Sequence, residues 1–153
     1  MPAGDDVEKL RERLKGLRVK TVEGAATSTV TAAGKYVFPA NDGKLESLTF
    51  APDADGKGAS VSVTVNGVET KVACGYQDWK RGKGSYGAYK DEPAAATGAW
   101  TKDNTYVVKQ VFYETPFYLT MTLAFTGAEL SCAFETNVGF GATKKPAVVG
   151  KRE

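Results

Sequence analysis

The chain's 153 residues suffice for one domain with a single closed core. Its 20 basic and 18 acidic residues leave a net charge of +2, too weak a field to favour nucleic acid or an anionic membrane. Histidine is absent, which excludes Ser-His and Cys-His nucleophile activation, imidazole bases and the commonest metal ligand, so no metal or cofactor is expected.

From Asp5 to Gly16 the residues follow a helical period. Val7, Leu10, Leu14 and Leu17 recur at three- and four-residue spacing beside Glu8, Lys9, Arg11, Glu12, Arg13 and Lys15. Asp5 is placed to cap the helix, with Glu8 in the capping-box position, and Gly16 to stop it. So short a helix is marginal alone; its apolar stripe is expected to dock on the rest of the chain or on a partner, or to join copies into an oligomer. The charged, polar N-terminus lacks the basic-then-apolar pattern of a secretory leader. Residues 18–34, RVKTVEGAATSTVTAAG, are small and without helical period, and read as an extended linker or edge strand.

From Lys35 the pattern changes to period two. Lys35–Ala40 and Leu45–Phe50 flank the turn Asn41-Asp42-Gly43, and Ser60–Val65 alternates Val61, Val63 and Val65 with Ser60, Ser62 and Thr64. Asn66-Gly67 is the strongest two-residue hairpin signal, and Glu69–Tyr76 returns with Val72, Cys74 and Tyr76 on one face. The glycine-rich Arg81–Gly84 reads as a connection. Further strands are expected at Tyr86–Tyr89, Ala95–Thr101, Thr105–Thr115, Tyr118–Thr126 and Glu129–Phe140, the last two joined by a tight turn at Gly127-Ala128. The basic tail from Lys144-Lys145 to Lys151-Arg152 reads as a solvated, frayed end. Cys74 and Cys132, both on alternating segments, read as buried thiols, with a cross-strand disulfide as the alternative.

These elements predict a mainly β fold: an antiparallel eight-stranded up-and-down barrel preceded by one short N-terminal α-helix, with a two-sheet sandwich as the alternative. The division is an N-terminal helix and linker at residues 1–34 and a β-barrel domain at residues 35–150. The inward set of Val61, Val63, Val65, Val72, Tyr76, Leu119, Met121, Leu123, Phe125, Leu130, Phe134 and Phe140 favours a filled interior over a cavity. Trp79 and Trp100, beside turns, read as plug or rim residues.

No G-x-S-x-G, S-x-x-K, K-T-G, Walker loop or strand-borne G-x-G-x-x-G occurs, and Asp53-Ala-Asp55-Gly56 lacks the acid that completes a calcium loop. No catalytic residue is assigned. No stretch reaches the ~18–20 apolar residues of a membrane span.

Several runs are similar to the C-terminal extension of bacterial serine hydrolases of the β-lactamase/penicillin-binding class. They are Tyr36-Val-Phe-Pro-Ala-Asn41, Lys44-Leu-Glu-Ser-Leu-Thr-Phe50, Gly98-Ala-Trp100, Thr105-Tyr-Val-Val-Lys109, Phe112-Tyr-Glu-Thr-Pro-Phe117 and Asn137-Val-Gly-Phe-Gly141 with Lys145-Pro146. Leu10–Leu17 resembles the short helix leading into that extension. The resemblance implies a non-catalytic, lipocalin-like accessory barrel that contacts or shields the active-site mouth of a serine hydrolase domain. The family's S-x-x-K serine and lysine belong to that preceding domain, so no catalytic role passes to this chain. The alternative is a stand-alone carrier of a small hydrophobic ligand. Under either reading the contact residues expected are Trp79, Tyr113, Glu114, Phe117 and Tyr118.

Overall fold

The computed structural model describes residues 5–139 and 141–153. Phe140, expected on the inward face, lies outside them, as does the expected capping side chain of Asp5. Helix α1 spans Asp5–Gly16 and is followed by β1 Gly34–Val37, β2 Leu45–Pro52, β3 Gly58–Val65, β4 Val68–Gly75 and β5 Lys80–Tyr86. Then come β6 Tyr89–Lys102, β7 Thr105–Val111, β8 Tyr118–Thr126, β9 Glu129–Thr136 and β10 Val148–Arg152. The stripe on α1 stays in solvent: Leu10, Leu14 and Leu17 are exposed, and no described helix is long and apolar enough to cross a membrane.

The strands form one sheet in the order β4-β3-β2-β1-β10-β9-β8-β7-β6-β5, which closes on itself where Gly75 of β4 pairs with Thr97 of β6. The mainly β closed barrel with one short helix therefore stands. The expected eight antiparallel strands are corrected to ten, of which β5 lies outside the ring and the other nine form it, and the closing bridge is parallel. Two strands account for the difference. β5, KRGKGSY, carries neither β-branched residues nor alternation, and joins β6 through a turn at Gly87 where a strand was expected over Tyr86–Tyr89. β10 occupies the supposed frayed tail, pairing Val148–Lys151 with Glu129–Cys132 of β9 and Lys151-Arg152 with Tyr36-Val37 of β1. The Asn66-Gly67 turn takes left-handed φ at both residues, 49° and 75°, as a type I′ hairpin requires.

One end of the barrel is closed. Tyr36, Phe50, Trp100, Tyr106 and Phe125 pack edge to face or tilted, with centroids 5.0–5.8 Å apart. Residues 21–33, within the stretch 18–34 expected as an extended linker or edge strand, run as a strap over this plug. Ala25 and Trp100 exchange backbone hydrogen bonds of 2.8 and 2.9 Å. The small residues of the strap now have a reason: a Cβ on Gly24 would lie 2.3 Å from the Trp100 carbonyl oxygen. At the far end of the strap the Arg152 guanidinium donates to the Thr31 carbonyl and to the Tyr36 hydroxyl, and Tyr36 donates to the Ala32 carbonyl at 2.8 Å.

Within the plug the Tyr106 hydroxyl is buried and has no hydrogen-bond partner among the described residues. A buried polar group left in that state costs about 1–3 kcal/mol. Tyr106→Phe is therefore expected to fold normally and to raise the urea midpoint, by up to about 1–2 kcal/mol of stability. A clear loss of stability in that variant would mean that the hydroxyl is satisfied by a trapped water. Cys74 and Cys132 are both buried free thiols, without the alternative disulfide.

Candidate functional site

The opposite end of the barrel, reached by the turns after β3, β5, β7 and β9, is open. Here the expected filled interior is corrected: the closed half is packed, and the open half holds a cavity of about 430 Å³. The reason is geometric. Barrel diameter grows with strand number, so side chains sufficient for eight strands leave space in a wider ring. The cavity volume lies within the ~300–1,000 Å³ range of small-molecule sites.

Inward positions of alternating strands build its walls: Val63 from β3, Val72 from β4, Leu119 and Met121 from β8, and Phe134 from β9. Polar groups are few. Thr70 and Ser85 face the cavity from the flank, and Lys90 and Lys145, both exposed, stand at the mouth. The decisive one is Gln110. It follows Tyr106 and Val108 on the inward face of β7, is only 4% exposed, lines the cavity, and makes no hydrogen bond among the described residues. Gly84 of β5 makes room for it, since a Cβ there would lie 2.5 Å from Gln110 Nε2. Gly84 thus lets a strand without packing side chains approach β7.

Among the described residues no group of three or more Cys, Asp or Glu side chains is arranged to hold a metal ion. The lysines at the mouth and the amide inside it offer hydrogen-bond donors and positive charge to one end of a guest, and the walls offer apolar contact to the rest. Such a site can bind a small molecule.

The sequence-derived contact residues are spread over both ends. Trp79 lies in the β4–β5 connection at the closed end, where its Nε1 donates to the Val19 carbonyl at 3.0 Å. Tyr113 points outward beneath the Arg81 guanidinium, 5.8 Å from the ring centre, and Tyr118 faces outward with Lys109 Nζ 4.8 Å from its ring. Glu114 and Phe117 do come together, in a second, smaller recess on the open rim with Tyr86, Tyr89, Glu92 and Phe112. Glu135 is on the exposed face of β9 opposite Thr120, away from both recesses. Sequence reasoning missed Gln110, Lys90 and Lys145. A signal existed only for Gln110, an amide at an inward position of an otherwise apolar alternation.

No protein-family model matches the chain, and no curated protein matches it in sequence. Its fold is similar to that in the crystal structure of secretory abundant heat soluble protein 4 from Ramazzottius varieornatus. The TM-score is 0.54 and the identity 15%, over 83% of this chain and 98% of that one. At this identity the likeness concerns the barrel alone.

Proposed function

We propose that the chain is a lipocalin-like binding module that holds one small amphipathic molecule in the open half of the barrel. The apolar part of the guest lies against Val63, Val72, Leu119, Met121 and Phe134, and its anionic or hydrogen-bond-accepting end meets Gln110, Lys90 and Lys145. The observation that carries this reading is an apolar-walled cavity of about 430 Å³ with the Gln110 side chain on its inner wall and two lysines at its mouth. Pockets of this kind orient a guest by a few polar groups on apolar walls, and a guest reaching this depth meets the Gln110 amide.

The test is titration with 1-anilinonaphthalene-8-sulfonate, an apolar anion, under conditions where near-UV circular dichroism shows fixed aromatic packing. One saturable site of roughly micromolar Kd is expected, about −8 kcal/mol. Met121→Trp should fill the cavity and abolish the signal, and Lys90→Glu with Lys145→Glu should weaken binding about tenfold or more. Unsaturable fluorescence, or a signal indifferent to Met121→Trp, defeats the proposal.

A second reading is favoured by the exposed Tyr89, Tyr113, Tyr118 and Val138 around the open end. An exposed aromatic rim suits a protein contact. In that reading the module is an accessory barrel whose rim faces a serine hydrolase domain of the β-lactamase class.

A further inference from the structure

The smaller recess on the rim, about 220 Å³, shares no lining residue with the barrel cavity. Four aromatic rings bound it: Tyr86, Tyr89, Phe112 and Phe117. Its two lining groups charged at neutral pH are both acids, Glu92 and Glu114. Tyr86 and Phe117 stack with centroids 4.7 Å apart and planes 7° apart, and Phe112 meets Tyr86 at 5.7 Å and 63°.

The walls are held from several directions. Tyr86 Oη donates to the Val138 carbonyl at 2.7 Å, tying the β5–β6 hairpin to the segment after β9. The turn between β7 and β8 is closed by Phe112 N donating to the Phe117 carbonyl at 3.0 Å and Thr115 Oγ1 donating to the Phe112 carbonyl at 2.9 Å. Asn137 Nδ2 donates to the Pro116 carbonyl at 2.8 Å while Asn137 Oδ1 accepts from Tyr118 N at 2.8 Å.

Against this fixed frame the two carboxylates are idle. Neither Glu92 nor Glu114 has a salt bridge among the described residues, where the ion pairs are Lys35–Glu153 and Lys80–Asp53. We infer that the recess is a site for a small quaternary ammonium ion, with the aromatic rings around the cation and the two carboxylates supplying the counter-charge. Ring faces and edges differ in sign, so an aromatic pocket attracts a cation to the ring faces. The volume, below the ~300 Å³ at which sites for drug-sized molecules begin, suits a compact head group. A quaternary ammonium has no N–H to satisfy, which matches walls that present carbon surface and acceptors at the edge. A primary ammonium would need several fixed acceptors in place of its hydration shell.

The experiment uses choline, tetramethylammonium and 3,3-dimethyl-1-butanol, the last a neutral isostere of choline, read by the backbone amide resonances of Thr115 and Phe117. Choline and tetramethylammonium should shift these resonances saturably at millimolar concentration, and the neutral alcohol should bind at least about tenfold more weakly. Tyr89→Ala, at an exposed position that should tolerate the change, and the double variant Glu92→Gln/Glu114→Gln should each weaken choline about tenfold. Choline binding should persist in Met121→Trp, which separates this site from the barrel cavity. Equal binding of the neutral isostere, or no shift with choline at about 50 mM, overturns the inference.

Discussion

Phe50→Ala should destabilise the barrel by about 3–5 kcal/mol, read as a lowered urea midpoint at unchanged slope. Phe50 is 1% exposed and is the central ring of the closed end. Its centroid lies 5.0 Å from Tyr106, 5.1 Å from Phe125 and 5.8 Å from Trp100. Alanine would remove the ring from all three partners, beneath a strap whose backbone is bonded to Trp100 and cannot settle into the space. Leu119→Ala is the comparison. Leu119 is half-buried on the wall of the existing cavity, so its loss widens a space already present and should cost less than about 2 kcal/mol. Equal losses at the two positions would contradict the division into a packed half and an open half.

Stability should fall steeply above about pH 9, and two side chains should account for most of the slope. Burial pushes the Cys74 thiol from its ordinary 9.0 up to about 12, with the negative charge of Asp53 adding and Lys80 partly opposing; burial alone takes Cys132 from 9.0 to about 12. Because the folded values are raised, the folded chain keeps both protons through a range in which the unfolded chain releases them. The contribution is fully present below pH 9 and is lost as pH rises toward 12. One group in that window costs about 1.4 kcal/mol per pH unit, so the pair costs about 2.7. Tyr106, pushed upward chiefly by burial, adds to the loss with the same sign at higher pH. Urea titrations of the wild type and of Cys74→Ala/Cys132→Ala between pH 8 and pH 11 measure the difference directly, whatever the variant's stability at neutral pH. If both proteins lose stability in parallel, the thiols are not the cause. Below pH 9 the same burial should leave both thiols unreactive in the folded protein.

The strands legible in the sequence were those whose two faces differ. Ser60–Val65 sets valines against Ser and Thr, Tyr118–Thr126 sets Leu, Met and Phe against Thr and Ala, and Asn66-Gly67 can hardly do anything but turn. β5 and β10 were illegible for opposite reasons. β5 is defined by what it lacks: Gly84 admits Gln110 and Phe112 to within contact, and absence of a side chain carries no periodicity. β10 is short, and only its long-range partners β1 and β9 distinguish it from a basic tail. The cavity was hidden for a further reason. Alternation says which side chains point inward, but emptiness depends on how many strands surround them. Of the contact residues singled out, Glu114 and Phe117 share a recess because Pro116 bends the chain between them. Tyr113 and Tyr118 point outward instead, each beside a cation.

The closing of the ring has a consequence for time rather than for shape. β3 and β4 are joined at every residue from Gly58 to Val65, whereas β4 meets β6 at one pair, Gly75 with Thr97, reinforced by Thr97 Oγ1 donating to the Gly75 carbonyl at 3.1 Å. A wall is only as long-lived as its briefest joint, and this one is a latch. Above it Val68, Thr70 and Val72 face Ser85 and Gly87 across the cavity without a ladder between them. The β4–β6 seam is therefore expected to open more often than the β3–β4 ladder, which hydrogen exchange would read.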